Sequence, residues 1–305
     1  MSEPQRSVLV VGGGLAGITA ALRCADAGLR VTLVEAKRAL GGLTYSFHRG
    51  DLTVDNGQHV FLRCCTAYRA LLDRLGVADR VTLQDRLDIP VRSTYSDRPA
   101  RLRRDELPAP AHLGRSLLGY GLLSLRQRIR FVLAALEMKR LDRADPAVDT
   151  RSFGDWLREH KQDERTIDAM WDLVGIATLN ARADDASLAM AAMVFQVGLL
   201  TDAGAADIGW AAVPLQELHG SAALTALEAA GVEVHLNTKI ETLAVREDGW
   251  SADQFTADDV ILAVPPPVAE RLLPADAIPA ATGWAERLGS SPIINVHVVL
   301  DRKVL

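Results

Sequence analysis

The sequence predicts an α/β fold in which a parallel sheet carries a glycine-rich turn and a second, partly helical domain is inserted. The first observation is an apolar strand, Val8–Val11, that continues through the glycines of Gly12–Gly17 into an alanine-rich helical segment. The second is another apolar run, Val31–Val34, that ends at Glu35. A strand, a glycine turn, a helix and a second strand in this order are typical of a Rossmann-like unit.

The spaced glycines of this turn suit a dinucleotide. Gly12 permits the tight turn, Gly14 lets the backbone approach a pyrophosphate, and Gly17 lets the helix pack closely on the sheet. The first N–H groups of the helix then face the phosphates. Glu35 follows Gly17 by 18 residues, a distance at which its carboxylate can accept both hydroxyls of an adenosine ribose. A glycine turn without a ligand is the alternative on pattern alone.

The composition of the 305 residues is that of a globular protein, with 49% hydrophobic and 24% charged residues. One large core or two ordinary cores can therefore form. The formal net charge of −5 gives no general reason to expect a nucleic-acid partner. Cys24, Cys64 and Cys65 form neither a metal-ligand spacing nor a disulfide framework, so we predict buried or reduced thiols and no metal site. No secretory signal precedes the first strand, and we predict a cytoplasmic protein.

The order of the elements predicts a nucleotide-binding domain whose chain leaves to build a second domain and then returns. Residues 1–90 would form the first part, 91–213 a mostly helical domain, and 214–282 the return. Residues 283–305 would begin a sheet of the inserted domain. The return is supported by Val260–Ala263, an apolar strand that follows two acids and is stopped by prolines. An ordinary core strand in an independent third domain is the alternative.

Hydrophobic periodicity places further elements along the chain. Apolar residues have helical spacing in the segments 113–141, 153–160, 166–179 and 215–230. The last of these helices is predicted to end at Gly231. Strands are predicted near 232–236, 239–245, 260–263 and 293–300.

Two later motifs extend the nucleotide site. Glu35 is followed by Gly41-Gly42, a pair that can bring backbone close to the diphosphate a second time. Dehydrogenases that bind NAD have no general need for this second approach, so the pair favours the longer cofactor FAD. Gly57-Gln58-His59 can place backbone and polar side chains near a flavin ring. His59 alone is more often a hydrogen-bonded structural histidine than an acid–base catalyst.

Taken together, these motifs resemble the superfamily of FAD-dependent phytoene desaturases and amine oxidoreductases. The resemblance rests on G-G-G-L-A-G, E-A-x-x-x-x-G-G, V-D-N-G-Q-H and the late D-x-V-I-L-A-V-P-P strand. Within the superfamily, V-D-N-G-Q-H-V-F-L at Val54–Leu62 and S-P-I-I-N-V-H at Ser290–His297 are most similar to the squalene-associated desaturases. These are the hydroxysqualene dehydroxylases of bacterial hopanoid synthesis. The likeness runs over essentially the whole chain and is least specific in the helical middle.

The resemblance implies which residues contact FAD. The diphosphate would lie on the first glycine turn and again on the glycine pair, and the ribose on the acid after the second strand. The adenine would lie against the backbone of Ile240, and the flavin beside residues 57–59. The implied cofactor residues are Gly12, Gly14, Leu15, Ala16, Gly17, Glu35, Ala36, Lys37, Gly41, Gly42, Leu43, Gly57, Gln58, His59 and Ile240.

The chain departs from the family pattern in two places. An arginine usually follows the glycine pair, where this chain has Leu43, and Lys37 or Arg38 could partly substitute for that cation at the diphosphate. The family also continues well beyond Leu305, with a segment that completes the substrate domain and returns to the flavin. The resemblance therefore implies a chain truncated at its carboxyl end. A partner chain that supplies the absent segment is one hypothesis.

The activity that the resemblance implies is FAD-dependent reductive dehydroxylation of hydroxysqualene to squalene, with a lipid-like isoprenoid as substrate. Such a reaction needs a proton donor near the leaving hydroxyl, an apolar cavity and a reduced flavin. His59, Asp55 and His297 are the candidate acids, although Asp55 also suits a turn in which it bonds nearby N–H groups. Two alternatives stay open. One is a carotenoid desaturase or a flavin amine oxidase, and the other is a catalytically incomplete FAD-fold fragment that needs a partner chain.

The segment 113–141 is the candidate membrane-facing surface, because a substrate of this class dissolves in a bilayer. Leucines are interleaved there with arginines, and no uncharged run is long enough to span a membrane. A basic amphipathic surface that lies on the inner face of a membrane is one interpretation. A pair of ordinary helices with arginines in solvent is the other.

Overall fold

The computed structural model describes residues 5–93, 96–274, 277–279 and 282–302. Parts of the predicted domains, namely residues 1–4, 94–95, 275–276, 280–281 and 303–305, lie outside the described residues. The contacts divide the chain into two units. Unit 1 comprises Met1–His59, Ala67–Thr82 and Ala211–Leu305, and unit 2 comprises Val60–Thr66 and Leu83–Trp210.

Strands are concentrated towards both ends of the chain, and helices dominate its middle. The strands of the described residues are β1 (Ser7–Val11), β2 (Arg30–Val34), β3 (Ser46–Arg49), β4 (Leu52–Asp55), β5 (Val60–Leu62), β6 (Val81–Leu83), β7 (Asp88–Ser93), β8 (Ser96–Arg103), β9 (Ile208–Ala211), β10 (Glu233–His235), β11 (Leu243–Arg246), β12 (Gly249–Ala252), β13 (Phe255–Ala257) and β14 (Asp259–Leu262). The α-helices are α1 (Leu15–Asp26), α2 (Thr66–Arg74), α3 (Gly114–Leu118), α4 (Leu125–Met138), α5 (Pro146–Asp149), α6 (Phe153–Glu159), α7 (Glu164–Thr166), α8 (Asp172–Leu179), α9 (Leu188–Phe195), α10 (Ala222–Ala229), α11 (Pro266–Leu272) and α12 (Trp284–Arg287). A π-helical turn, Gln216–Ser221, leads directly into α10.

A four-stranded parallel sheet with the order β10-β2-β1-β14 forms the centre of unit 1. Within it, Val10 of β1 pairs with Leu33 of β2 on one side and with Ile261 of β14 on the other. All five residues of β1 are buried, as expected of a parallel strand that is covered on both faces. Because the neighbours of β1 lie on opposite sides, its carboxyl end is the point at which such sheets bind ligands. The sheet confirms the predicted α/β, Rossmann-like fold.

The helices of unit 1 bury their apolar faces against this sheet. Ile18 and Leu22 of α1 share one core with Leu33 of β2, Leu72 of α2 and Leu227 of α10. Full burial of one such side chain stabilises the folded state by about 1.5–3 kcal/mol. The core therefore fixes α1 on the sheet, and with it the glycine turn that precedes α1.

The helices of unit 2 pack around an aromatic cluster. The ring of Trp171 has its centroid 4.6 Å from that of Phe131, 5.8 Å from Phe153 and 4.9 Å from Phe195. The indole N–H donates to Gln162 Oε1 at 3.1 Å, so the buried polar edge of the ring is satisfied. The cluster holds α4, α6 and α9 together. No helix in the described part of the chain has the length and apolar character that a membrane crossing requires.

The hairpin of β7 and β8 lies at the start of the region that was predicted to be mostly helical. Its strands pair antiparallel, with Ile89 opposite Leu102 and Val91 opposite Ala100. Val91, Ala100 and Leu102 are buried, whereas the arginines between them face outward, which is the period of two that a strand requires. The alternation includes only two apolar residues in each strand, so it is too short to predict a strand from the sequence.

The predicted strand at 239–245 is wrong over its first half, because regular pairing begins only at Leu243. The N–H groups of Glu241 and Thr242 donate to the carboxylate of Asp253, at 2.8 and 3.0 Å. They are therefore satisfied by a side chain rather than by a neighbouring strand.

The predicted strand at 293–300 is also wrong. The described residues of this segment have no regular secondary structure, and Ile294 and Val296 are 87% and 81% exposed. A strand forms only when a neighbour accepts and donates its backbone hydrogen bonds. No described strand lies beside this segment, so its apolar, β-branched sequence alone does not produce one.

The three cysteines are free thiols, of which Cys24 and Cys64 are half-buried. Cys65 is exposed and is a free thiol. Burial raises the pKa of Cys24 and Cys64. Both are consequently protonated at neutral pH and are poor nucleophiles.

Candidate functional site

The turn from β1 to α1 contains two glycines, Gly12 and Gly17, that no other residue could replace without displacing backbone. Gly12 has a φ of +108°, and a Cβ there would overlap the carbonyl of Ala263, which follows β14. A Cβ on Gly17 would overlap the carbonyl of Gly12. These contacts press the first turn of α1 against the ends of β1 and β14. The predicted roles of Gly12 in the turn and of Gly17 in close helix packing follow from this geometry.

The amino terminus of α1 faces an open space. Gly14 is the N-cap residue, and no side chain among the described residues caps the helix. A Cβ on Gly14 would meet only the Cα of Gly42, at 3.7 Å. Leu15 and Ala16 form the first helical turn, which contains no acidic residue. Unpaired N–H groups at a helix amino terminus attract an anion, and this geometry suits a phosphate.

The glycine pair Gly41-Gly42 lies directly opposite the glycine turn that joins β1 to α1. Gly41 N–H donates to the carbonyl of Gly13 at 2.8 Å, and Gly42 has a φ of +63° that favours glycine. A Cβ on Gly42 would lie 2.9 Å from the Cα of Gly14. The two turns together form a cradle of bare backbone, which we call the glycine cradle (Gly12–Gly17 and Gly41–Gly42). Leu43 follows the cradle and is 71% exposed.

Glu35 extends from the carboxyl end of β2 towards the glycine cradle. Its Oε2 accepts a hydrogen bond from Gly13 N–H at 2.6 Å, and its Oε1 accepts one from Lys37 N–H at 2.7 Å. The side chain is buried, although the following residues, Ala36 and Lys37, are exposed. A carboxylate has about four lone-pair sites, so two bonds orient Glu35 and leave capacity for ribose hydroxyls.

Ile240 lies in the segment that crosses the end of the sheet beside Glu35. Thr238 N–H donates to the carbonyl of Glu35 at 2.9 Å, and Asn237 N–H donates to that of Lys37 at 3.0 Å. The side chain of Ile240 is buried in a core beneath the sheet. Neither backbone group of Ile240 bonds another residue of the described structure, and such groups suit the edge of an adenine ring.

The carboxylate of Asp55, at the end of β4, binds backbone next to the start of the π-helical turn. Its Oδ1 accepts hydrogen bonds from Ser46 Oγ at 2.6 Å and from Leu215 N–H at 3.0 Å. Ser46 Oγ also accepts from Gln216 N–H at 3.0 Å. These bonds correspond to the second interpretation of Asp55, a carboxylate that holds nearby N–H groups.

The segment Gly57-Gln58-His59 follows Asp55 in unit 1. Nδ1 of His59 lies 3.0 Å from the carbonyl oxygen of Gly57. A carbonyl oxygen only accepts, so Nδ1 carries the proton and Nε2 is the ring atom that can exchange one. Gln58 is exposed, and a Cβ on Gly57 would lie 2.5 Å from the side-chain Nδ2 of Asn295. His297 is exposed, two residues beyond Asn295.

His219 is a buried titratable residue that the sequence did not single out. It is 1% exposed, and its Nε2 lies 2.8 Å from the hydroxyl of Tyr68, whereas Nδ1 has no hydrogen-bond partner among the described residues. Burial and, to a smaller extent, the neighbouring His59 together lower the pKa of His219 to about 4, against the opposing effect of Asp55. In the sequence, His219 stands out only as an isolated histidine inside an apolar helical pattern. Its hydrogen-bond partner Tyr68 is 151 residues away, so no local pattern predicts the pair.

The site as a whole fits FAD. The glycine cradle has room for a diphosphate, Glu35 is oriented for a ribose, and the backbone of Ile240 is unpaired. The structure brings these predicted residues together at the carboxyl end of the parallel sheet, and residues 57–59 connect to them through Asn56, whose side chain donates to Leu43 O at 3.0 Å. The fold and this site define a flavin-binding protein of the Rossmann-like class.

The chain belongs to the flavin containing amine oxidoreductase family, whose model matches residues 15–305. The members of this family contain a flavin, which confirms the prediction of an FAD cofactor at the level of the family. The 15-cis-phytoene desaturase of Capsicum annuum is 25% identical over 328 residues, which cover 97% of this chain and 53% of the relative. The probable zeta-carotene desaturase of Synechococcus elongatus is 25% identical over 338 residues, which cover 92% of this chain and 67% of the relative.

Solved structures show the same fold. Cyclohexylamine oxidase from Brevibacterium oxydans superimposes with a TM-score of 0.65 at 21% identity, covering 93% of this chain and 63% of the enzyme. An oxidoreductase from Methanosarcina mazei gives a TM-score of 0.63 at 16% identity, covering 92% and 63% of the two chains. The chain spans about half the length of the plant desaturases that it matches, 53% of the Capsicum annuum protein.

Proposed function

We propose that this protein is an FAD-dependent oxidoreductase that acts on a long-chain isoprenoid, with reductive dehydroxylation of hydroxysqualene to squalene as its reaction. The observation that carries the flavin part is the glycine cradle with Glu35 bonded to Gly13 N–H at 2.6 Å. The isoprenoid part is supported by the names of the curated relatives, which are desaturases of phytoene and zeta-carotene. The choice of hydroxysqualene is supported by the sequence resemblance at Val54–Leu62 and Ser290–His297.

The reaction replaces an allylic hydroxyl by hydrogen. The hydroxyl takes up a proton and leaves as water, and the carbon that carried it receives a hydride, so the substrate gains two electrons. When bound in its reduced form, FAD supplies this hydride. The chain itself must hold the cofactor, exclude water and deliver the proton.

His59 is the residue that we propose as the proton donor. Its Nδ1 is held by the carbonyl of Gly57, so Nε2 is available for proton exchange. Asp55 is committed to Ser46 and to Leu215 N–H, which favours a structural role for that carboxylate. His297 keeps its place as an alternative donor on an exposed segment.

Carotenoid desaturation is the second candidate, because the two curated relatives named above carry that activity in their names. Desaturation removes two hydrogens from the substrate and therefore requires an oxidised flavin. The two candidates differ in the direction in which electrons pass between substrate and cofactor, and this difference can be measured.

The first experiment is the visible absorption spectrum of the purified protein after incubation with excess FAD and desalting. Retained flavin bands support the cofactor site, and a colourless protein contradicts it.

The second experiment mixes the flavin-loaded protein with substrate under anaerobic conditions. Reoxidation of pre-reduced flavin by hydroxysqualene, with squalene as product, supports dehydroxylation. Bleaching of oxidised flavin by phytoene, with a desaturated product, supports the second candidate instead. Flavin that responds to neither polyene, although bound, contradicts the isoprenoid assignment.

A further inference from the structure

Helix α4 of unit 2 is apolar on two opposite faces. Its inner face, formed by Phe131, Ala134, Ala135 and Met138, packs into the aromatic core around Trp171. Its outer face carries a row of large apolar side chains, which we call the α4 stripe. The members of the α4 stripe are Leu125 (63% exposed), Ile129 (53%), Val132 (40%), Leu133 (59%) and Leu136 (38%).

The spacing of the α4 stripe shows that it is one continuous surface. Its members follow one another at intervals of four, three, one and three residues, and at about 100° per residue they fall on one side of the helix. Surface helices of globular proteins normally place polar residues opposite the buried face. Leu118, at the end of the neighbouring helix α3, is also 71% exposed. A contiguous exposed apolar patch of this kind marks an interaction surface.

Basic residues surround the α4 stripe. The segment 113–141 contains five arginines and one lysine against a single acid, Glu137, although the whole chain has a formal net charge of −5. At about 100° per residue, Arg126 and Arg128 fall on opposite flanks of the stripe. Arg128 is fixed by hydrogen bonds to the carbonyls of Leu118 and Leu123. The local charge is therefore strongly positive on a protein that is acidic overall.

An arginine-lined groove of about 620 Å³ lies beside α3, the helix that precedes α4 in the chain. The charged residues of its lining are one acid, Asp105, and five arginines, Arg86, Arg92, Arg101, Arg103 and Arg115. Arg101 and Arg103 share the carboxylate of Asp88. Arg92 and Arg115 have no acidic partner within the described residues. The planar guanidinium group of an arginine can bind two oxygens of one phosphate at the same time.

We propose that the α4 stripe and its flanking arginines dock on an anionic lipid bilayer. The stripe would enter the boundary between headgroups and acyl chains, and the arginines would bind lipid phosphates. Charge complementarity selects this occupant, because an apolar strip bordered by arginines matches a surface that is apolar inside and negatively charged outside. The inference is independent of the substrate proposed above.

The experiment measures sedimentation of the full chain with vesicles of phosphatidylcholine alone and with vesicles that also contain phosphatidylglycerol. We expect binding to the anionic vesicles and at least about tenfold weaker binding to the neutral ones, since each basic residue near an anionic surface contributes about 1 kcal/mol, or fivefold in affinity. Binding should weaken between about 0.1 and 1 M salt, where the Debye length falls from about 10 to 3 Å.

Two matched double variants test the surface itself. Ile129→Asp with Leu133→Asp should reduce binding to anionic vesicles at least about tenfold, because charge is placed on the inserted face. The control is Val245→Asp with Leu288→Asp, two side chains of unit 1 that are each 65% exposed, and it should bind like the wild type. Thermal unfolding of each variant checks that the fold is retained.

A variant that is expected to bind membranes more strongly provides a test that a folding defect cannot imitate. Leu133→Trp should strengthen binding to the anionic vesicles, because tryptophan partitions into the membrane interface. Equal binding of the stripe variant and the wild type, or no vesicle binding by the wild type, overturns the proposal. So does concentration-dependent self-association without lipid that the stripe variant abolishes, because the stripe would then be an interface between two copies.

Discussion

A substitution at Gly14 can test flavin binding without disturbing the fold. Its φ of −75° is ordinary for any amino acid, and an added Cβ would meet only the Cα of Gly42 at 3.7 Å. Gly14→Ala is therefore expected to fold with wild-type stability. The new methyl group would nevertheless occupy the space in which a diphosphate approaches the helix, so FAD affinity should fall at least about tenfold. Flavin absorbance after desalting, together with the thermal midpoint, measures both quantities.

The matched control is Gly175→Ala in α8, where an added Cβ meets no atom within 4 Å. This variant should retain FAD as the wild type does. If Gly14→Ala binds FAD normally, or if both variants lose it equally, the diphosphate does not lie in the glycine cradle.

His219 should make stability depend on pH. Burial lowers its pKa to about 4 in the folded protein, whereas an exposed histidine has a pKa near 6.5. The unfolded chain therefore binds a proton below about pH 6.5 that the folded chain refuses until about pH 4. Stability is fully present above pH 6.5 and is lost as the pH falls, by about 2 kcal/mol at about pH 5 from this residue.

Urea unfolding of the wild type and of His219→Gln at about pH 7.5 and pH 5 isolates this contribution. Glutamine can still bond the hydroxyl of Tyr68 but does not titrate. The wild type should lose about 2 kcal/mol more than the variant between the two pH values. Identical losses in both proteins would show that His219 is not buried as a neutral ring.

Asp207 joins several elements of unit 2 through one buried carboxylate. It lies immediately before β9 and accepts hydrogen bonds from Arg63 after β5, from Arg104 after β8 and from Leu87 N–H before β7. Although burial alone would raise its pKa, the bonds from Arg104, Arg63 and Leu87 N–H hold the pKa of Asp207 below its ordinary value. Its stabilisation is therefore present above about pH 4 and is lost as the pH falls through the lowered pKa.

Asp207→Asn should consequently destabilise the protein by about 3 kcal/mol, because two guanidinium groups lose their buried counter-charge. The comparison is Glu137→Gln, which removes a pair with Arg140 whose side chains are 51% and 73% exposed. That change should cost less than about 0.5 kcal/mol. Chemical denaturation at neutral pH measures both, and similar costs for the two variants would contradict the role given to Asp207.

The elements that the sequence predicts well are those fixed by neighbouring residues. β1, the glycine turn and α1 are contiguous, and the position of Glu35 follows from the length of α1 and β2, so the cradle could be predicted from spacing alone. The pairing of His219 with Tyr68 and the convergence of Arg63, Arg104 and Asp207 join distant residues, and no local pattern carries them. The strand predicted at 293–300 is wrong for the complementary reason. A segment with a strand-like pattern forms no strand unless a neighbouring strand pairs with its backbone.

At the scale of the whole molecule, family membership extends to residue 305, while the match covers 53% of the Capsicum annuum relative. The segment 293–300 is exposed, and its Asn295 lies against Gly57 beside the predicted flavin-facing residues.

The same segment predicts how the 305 residues behave when purified alone. Ile294, Val296 and Val298 alternate along the chain and are 87%, 81% and 72% exposed. An exposed, β-branched run of this kind with unpaired backbone groups pairs readily with a second copy of itself. We therefore expect the purified chain to self-associate as its concentration rises, as measured by light scattering after size-exclusion chromatography.

Replacing the three alternating residues by lysine should return the protein to a monomer, because like charges in facing strands repel. Lysines at Leu52 and Val245, which are 47% and 65% exposed elsewhere in unit 1, should leave self-association unchanged. A wild type that stays monomeric at all concentrations would mean that exposure of this segment does not drive pairing. Association that persists in the lysine variant would place the interface elsewhere, with the α4 stripe as the next surface to test.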